Sequence, residues 1–285
     1  MDTFWSNTIW YVLLAVLGLI TVFISVLKSR HKIYTLILYF AAVGFSAFGE
    51  IFIDILGNAY EYMPKIKKIK ELDDVFGGVF SQMFSLSSAA ILISVFQLKW
   101  YWILVTIGVF FGIEELFLYL GIYELNWWKT WYTVIVLVPF FLIIKSTYKK
   151  IQSTYSVFLN YAVAFFALYA VLLSIDSILV FELGLRYTYN IMGNIIKSTI
   201  LLSILHTLLI SLIYTIIRIF RVNVIASIFV VVLLTVFDYL LVFINIITLN
   251  SMWHISFLII VNITGYFVSL YLYNFFKSKS YLNYI

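Results

Sequence analysis

Six acidic side chains of this 285-residue chain lie within long apolar stretches, and each of them could bind a cation or transfer a proton. They are Glu50, Asp54, Glu114, Glu115, Asp176 and Asp238. A charged side chain in the middle of a lipid bilayer costs at least about 2.5 kcal/mol on insertion scales, so each acid needs a reason to be there. The same stretches hold the basic residues Lys197 and His206. Because one lysine cannot neutralise six carboxylates, we expect some acids to be protonated or to surround a cation or a basic solute.

Helical spacing predicts which of these side chains share a face. Glu50 and Asp54 are four residues apart and therefore lie on one side of a helix. Gly108 and Gly112 form a Gly-xxx-Gly pair, which allows a neighbouring helix to approach closely, and Glu115 follows on the same face. We expect that close approach to turn Glu115 toward the neighbouring helix and away from lipid.

The polar side chains together predict an acidic cavity in the outer half of the membrane. Lys197 and His206 are nine residues apart, which places them on opposite faces of their helix, so we do not expect them to act on one group. The predicted ligand-binding residues are Glu50, Asp54, Gln82, Glu114, Glu115, Lys197, His206 and Asp238. The alternative is that these groups only join helices through hydrogen bonds, which contribute about 0.6 kcal/mol each on average.

The composition requires these residues to be carried by membrane-spanning helices. Hydrophobic residues make up 64% of the chain and charged residues 11%, whereas a soluble domain is about half apolar and about a quarter charged. A span needs about 20 apolar residues. We predict an all-α polytopic transmembrane bundle, one domain over residues 1–285, with nine spans near 8–27, 33–56, 78–97, 100–121, 129–148, 156–180, 193–217, 223–247 and 253–275.

The loop charges predict the orientation of the bundle. Eleven of the 18 Lys and Arg residues fall in the turns that are cytoplasmic if the N-terminus is outside, so we expect an N-out, C-in protein of the cell membrane. The net charge of +5 is then a topology signal and gives no indication of nucleic-acid binding. The expected surroundings are the lipid bilayer. The absence of cysteine excludes disulfides and thiolate chemistry.

Three outward-going spans end in similar segments, 56–60, 120–123 and 183–187, each beginning Leu-Gly and ending in Tyr. Their glycines are 64 and 63 residues apart, which is a weak indication of a repeated two-helix unit. Ordinary helix C-terminal caps are the alternative. We expect residues 183–194 to form a short helix or a re-entrant segment. For the loop at 57–77 we expect a short solvated or interfacial helix, with a lid over the cavity as the sharper alternative.

Three motifs resemble a family of small multi-span membrane proteins from Gram-positive spore formers that has no established activity. They are Leu120-Gly-Ile-Tyr-Glu-Leu-Asn-Trp-Trp-Lys-Thr-Trp-Tyr-Thr133, Glu50-Ile-Phe-Ile-Asp54, and Asp74 followed by Ser81-Gln-Met-Phe84. The family often carries a histidine where this chain has Leu125 or Asn126, which counts against a metal site there. The resemblance implies membrane embedding and no particular chemistry, and we expect Trp127 and Trp128 to be interfacial anchors.

Three kinds of function are compatible with this sequence. The first is a receptor-like or transporter-like protein whose acidic cavity binds a cation or a small basic solute. The second is a membrane-embedded enzyme acting on lipid or an envelope precursor at the outer leaflet, with Glu50, Asp54, Glu115 and His206 binding a divalent cation or serving as acid and base. The third is an assembly subunit whose polar residues contact a partner membrane subunit.

Overall fold

Helices dominate the computed structural model, which describes residues 4–153 and 156–282. In that part of the chain, nine helical segments are long and apolar enough to span a membrane: Trp5–Lys28, Lys32–Ile55, Lys70–Val95, Trp100–Tyr119, Thr130–Lys150, Val157–Phe181, Ile195–Ile219, Val224–Phe243 and Ile255–Ser278. The predicted all-α polytopic bundle is thereby confirmed, whereas its orientation stays a prediction. The sequence predicted one domain, and the contacts divide the chain into two compact units, Met1–Thr154 and Tyr155–Ile285. Each unit is described by itself.

The outer surfaces of these helices explain why the protein belongs in a bilayer. Large apolar side chains are exposed along them, including Phe23 at 65% and Phe229 at 60%. Soluble monomers rarely expose wide apolar patches, because water makes such surfaces unfavourable. Hydrocarbon removes that cost, so these faces contact lipid and the chain is an integral membrane protein.

The described residues of the first unit, 4–153, form six α-helices and two short strands. The helices are α1 (Ile9–Lys28), α2 (Lys32–Glu50), α3 (Lys70–Val79), α4 (Ser87–Val95), α5 (Trp100–Tyr119) and α6 (Thr130–Ser153). The strands are β1 (Tyr60–Tyr62) and β2 (Tyr123–Leu125). Short π-helical segments occupy Phe4–Thr8, Ile51–Ile55 and Phe80–Leu86, and the last of these joins α3 to α4 in one continuous span.

Strands β1 and β2 pair in antiparallel fashion, with Tyr60 opposite Leu125 and Tyr62 opposite Tyr123. Alternation along β1 buries both tyrosines, whereas Glu61 between them is partly exposed and pairs with Lys70 Nζ at 2.8 Å. The segment 57–77, where a short solvated or interfacial helix was expected, is helical only from Lys70 onward. The segment contains a strand, and α3 begins at Lys70 as the first part of the third span.

The loop between β1 and α3 is held by one buried carboxylate. Asp73 accepts hydrogen bonds from the backbone N–H groups of Lys65, Ile66 and Lys67 at 2.9, 2.7 and 2.7 Å. Its neighbour Asp74 accepts from the Tyr62 N–H at 2.7 Å. The side chains of α3 thus fasten the loop and β1 to the start of the third span.

The second unit contains four helices and two short strands. They are α7 (Val157–Phe181), β3 (Arg186–Tyr187), α8 (Ile195–Ile219), α9 (Val224–Phe243), β4 (Ile247–Thr248) and α10 (Ile255–Leu282), with a 3-10 turn at Met252–His254. Helices α7, α8 and α10 pack on one another, and α9 packs on α10. Of the two alternatives for residues 183–194, the short helix is wrong, because the segment contains strand β3, which pairs with β4, and the re-entrant segment stays a prediction.

Candidate functional site

A cavity of about 310 Å³ lies within the first unit and is enclosed mainly by aromatic and aliphatic side chains. Its polar lining, apart from tyrosine and tryptophan, consists of Ser46, Glu50, Ser81, Gln82, Glu114 and Thr133. Among the described residues that line it, there is no Lys, Arg or His. Two carboxylates therefore share a small chamber in which no lining side chain supplies a positive charge.

Glu50 lies where α2 gives way to the π-helical segment Ile51–Ile55. The Tyr60 hydroxyl lies 2.8 Å from each carboxylate oxygen of Glu50, and Gln82 Nε2 donates to Glu50 Oε1 at 2.5 Å. Gln82 itself belongs to the second π-helical segment, Phe80–Leu86. Wide π-type turns are frequent at functional sites, and here two of them bring an acid and its amide partner together.

Glu114, on α5, has one satisfied carboxylate oxygen and one unsatisfied oxygen. Thr133 Oγ1, on α6, donates to Glu114 Oε2 at 2.7 Å and accepts from Trp128 Nε1 at 2.9 Å. Glu114 Oε1 is buried and has no hydrogen-bond partner. Nearly all buried polar atoms in proteins have a partner, so this orphan carboxylate oxygen of a cavity-lining side chain needs an explanation.

Three tyrosines of the paired strands close one side of the cavity. The ring centroids of Tyr60 and Tyr62 are 5.5 Å apart, those of Tyr62 and Tyr123 are 5.0 Å apart, and those of Tyr60 and Tyr123 are 5.5 Å apart. Burial, together with the nearby Glu50 carboxylate, raises the pKa of all three phenols well above the ordinary value. The tyrosines therefore keep their phenolic protons, and the proton of Tyr60 is donated to Glu50.

Two of the predicted acids in this unit do not line the cavity. Asp54 is buried in the π-helical segment after α2, beside the cavity and not on its wall. Glu115 is exposed, because a rotation of 100° per residue turns it away once Glu114 points inward. The predicted close approach at Gly108 and Gly112 is also wrong, since a methyl group added at either glycine would meet nothing within 4 Å.

The remaining predicted residues belong to the second unit, where the polar groups bind one another. Ser203 Oγ donates to Asp176 Oδ2, which joins α8 to α7. Asn262 Nδ2 donates to Asp238 Oδ2 at 2.6 Å, and His206 Nε2 lies 3.0 Å from Asp238 Oδ1. This buried network joins α8, α9 and α10.

Lys197 lies in the first turn of α8, where Asn194 Oδ1 accepts hydrogen bonds from the N–H groups of Ile196 and Lys197 at 2.8 and 3.2 Å. Asn194 is therefore the N-cap of α8, and this cap accounts for where the lysine sits. Like His206 and Asp238, Lys197 is not among the residues that line the cavity of the first unit.

From the sequence, Glu50, Asp54, Glu115 and His206 were considered as possible ligands of a divalent cation. Within residues 4–153 and 156–282, no group of three or more His, Asp or Glu side chains is arranged to hold a metal ion. Of the four predicted ligands, Glu50 is bonded to Tyr60 and Gln82, Glu115 is exposed, and His206 lies against Asp238.

Sequence reasoning missed the aromatic part of the site. Trp128 was expected to be an interfacial anchor, but it lines the cavity and donates to Thr133. Trp127 is half exposed and donates to the Gly57 carbonyl at 2.7 Å, so it ties the segment after β2 to the end of the second span. The available signal was the Leu-Gly…Tyr repeat, whose first two tyrosines, Tyr60 and Tyr123, are both cavity residues.

Comparison with protein-family models, curated proteins and solved structures gave no match to this chain. The resemblance noted from its motifs stays a prediction. The function therefore has to be argued from the geometry of the site.

Proposed function

We propose that the first unit binds a small organic cation within the membrane, as a receptor-like or transporter-like protein does. The observation that carries this proposal is that Glu50 and Glu114 line one cavity whose wall contains no Lys, Arg or His. Buried charges in proteins are normally paired with an opposite charge or hydrogen-bonded. A ligand that brings a positive charge would complete this site.

The rest of the wall supports an organic cation over a bare metal ion. Tyr60, Tyr62, Tyr123 and Trp128 line the cavity beside the two acids, and an aromatic face attracts a cation within about 6 Å of its centre. A volume of about 310 Å³ lies at the small end of the range for ligand pockets. The cavity thus suits a compact molecule with an apolar body and one positive charge.

The proposal is tested with purified protein in lipid nanodiscs and the probe phenethylammonium. Two matched probes, neutral 2-phenylethanol and anionic 3-phenylpropionate, keep the aromatic body and change the charge. Binding is followed by calorimetry and by tryptophan fluorescence, since Trp128 lines the cavity. We expect the cation to bind and the other two probes to bind at least tenfold more weakly.

Three single variants locate the binding site. Glu50→Gln and Glu114→Gln should each weaken cation binding at least tenfold, because each removes one of the two charges. Glu115→Gln is the matched control, since this exposed neighbour has the same charge and lies outside the cavity. No binding across phenethylammonium, benzylammonium and hexylammonium would overturn the proposal, as would equal losses in all three variants.

A further inference from the structure

The two units place their first acid at the same point relative to the end of a helix. After α2 the chain turns at Asn58, which has a φ of 48°, and after α7 it turns at Gly184, which has a φ of 70°. Glu50 and Asp176 each lie eight residues before that left-handed residue. The residue after each turn donates its N–H to the carbonyl six residues earlier: Ala59 to Ile53 at 3.2 Å, and Leu185 to Leu179 at 2.9 Å.

The second acid of each unit follows the same rule. Helix α5 is followed by Gly121 with a φ of 65°, and α9 by Asn245 with a φ of 58°. Glu114 and Asp238 each lie seven residues before that position. The N–H of the left-handed residue bonds to the carbonyl three residues earlier in both cases, at 3.1 and 3.0 Å. Glu114 and Asp238 are therefore equivalent positions of a repeated backbone.

The strands that follow these turns are also equivalent. Tyr62 lies opposite Tyr123 in the first unit, and Tyr187 lies opposite Ile247 in the second. The Met63 N–H donates to the Ile122 carbonyl, and the Thr188 N–H donates to the Ile246 carbonyl, both at 3.0 Å. In each case the donor follows one strand residue and the acceptor precedes its partner. Because the two helix ends and the strand pairing are alike in both units, each unit is one copy of a repeated backbone arrangement.

The equivalent acids differ in the partner of one oxygen. Asp238 accepts from Asn262 on the following helix, and its other oxygen, Oδ1, has no hydrogen-bond partner among the described residues but lies 3.0 Å from His206 Nε2, within ion-pair distance. Glu114 accepts from Thr133 on the following helix, and its other oxygen, Oε1, has no hydrogen-bond partner. The second unit thus supplies from its own chain a nitrogen group that the first unit lacks.

We infer that the ligand of the first unit carries an N–H cation, a protonated primary or secondary amine, which donates to Glu114 Oε1 as its charged hydrogen bond. This inference rests on the proposed function and names the class of cation. A charged N–H bonded to a carboxylate is about twice as strong as a neutral hydrogen bond. A quaternary ammonium ion has the same charge and no N–H, so it leaves Oε1 unsatisfied.

The test compares phenethylammonium with its N,N,N-trimethyl analogue on the protein in nanodiscs. Both probes carry one positive charge on the same aromatic body. We expect the primary amine to bind about tenfold more tightly to the wild-type protein, and this preference to fall to about twofold in Glu114→Gln. Glu115→Gln should keep the full preference, because its side chain lies outside the cavity.

The outcomes separate this inference from the proposed function. If both probes bind equally well to the wild-type protein, the N–H inference is overturned and cation binding stands. If neither probe binds, the proposed function itself fails. If the preference survives in Glu114→Gln and is lost in Glu50→Gln, the N–H acceptor is Glu50 and the assignment to Glu114 is wrong.

Discussion

Trp128 and Glu114 are connected through a single hydroxyl group, that of Thr133. The indole Nε1 donates to Thr133 Oγ1 at 2.9 Å, and the same hydroxyl donates to Glu114 Oε2 at 2.7 Å. A hydroxyl has one proton, so accepting from the indole directs that proton to the carboxylate. This relay fixes which oxygen of Glu114 is satisfied and leaves the buried Oε1 without a donor among the described residues.

Removing the shared hydroxyl should destabilise the first unit. Thr133→Val keeps the side-chain shape and leaves both the Trp128 N–H and Glu114 Oε2 without a partner, which we expect to cost about 1–3 kcal/mol. The midpoint of thermal unfolding in nanodiscs measures this loss. Thr133→Ser restores the hydroxyl and should recover most of the stability. An unchanged midpoint in Thr133→Val would show that the relay contributes nothing.

The hydrogen bond from Tyr60 to Glu50 should be worth more than a comparable bond to a neutral acceptor. We expect Tyr60→Phe to cost about 1.5–3 kcal/mol, because its hydroxyl donates to a carboxylate. The matched control is Tyr39→Phe, whose hydroxyl donates to the Met83 carbonyl at 2.9 Å, with an expected cost of about 0.5–1.5 kcal/mol. Equal losses of unfolding free energy would indicate that Glu50 is uncharged in the free protein.

Two glycines should respond oppositely to the addition of a methyl group. A Cβ at Gly265 would lie 2.6 Å from Tyr214 Cε2, where α10 crosses α8, so we expect Gly265→Ala to cost about 1–3 kcal/mol. Gly112→Ala meets nothing within 4 Å and should be neutral or stabilising, since alanine is the better helix former. Thermal unfolding of the two variants checks this, and a larger loss in Gly112→Ala would contradict the packing described for α5.

Removing His206 from the second unit should leave the nearby Asp238 carboxylate without its ion-pair partner. We expect His206→Ala to cost about 3–5 kcal/mol, because Asp238 is then a buried carboxylate left with Asn262 alone. The vacated space has the size of an imidazole ring. Millimolar imidazole should therefore raise the unfolding temperature of His206→Ala and leave that of the wild-type protein unchanged. The same response in both proteins would argue against a specific site.

Labelling tests the orientation, since the chain contains no cysteine of its own. Single cysteines at Lys68 and Glu124 should react with a membrane-impermeant maleimide in intact cells, because both follow outward-going spans. Cysteines at Arg30 and Lys99 should react only after the membrane is permeabilised. The reverse pattern would establish the opposite orientation. If the cysteines that replace Lys68 and Glu124 react from different sides of the membrane, the nine-span topology is wrong.

The sequence by itself determined the solvent of this protein and the class of its fold. Nine apolar stretches of spanning length cannot leave their backbone groups unpaired in hydrocarbon, so helices were the necessary outcome. The free-energy cost of a charge in lipid also identifies Glu50 and Glu114, among the six acids, as candidate functional residues from the sequence alone. These inferences depend on local composition and spacing, which one chain displays directly.

Only the tertiary structure decided which polar residues form a site. Glu114 and Glu115 are adjacent and chemically alike, yet one lines the cavity and the other is exposed, because helix rotation depends on the packing of α5 against α6. The strand pairing that places Tyr62 beside Tyr123 joins residues 61 positions apart, beyond the range of any local pattern. His206 lies 3.0 Å from Asp238 for the same reason: contacts between helices depend on how the whole unit packs, and spacing along the chain does not encode them.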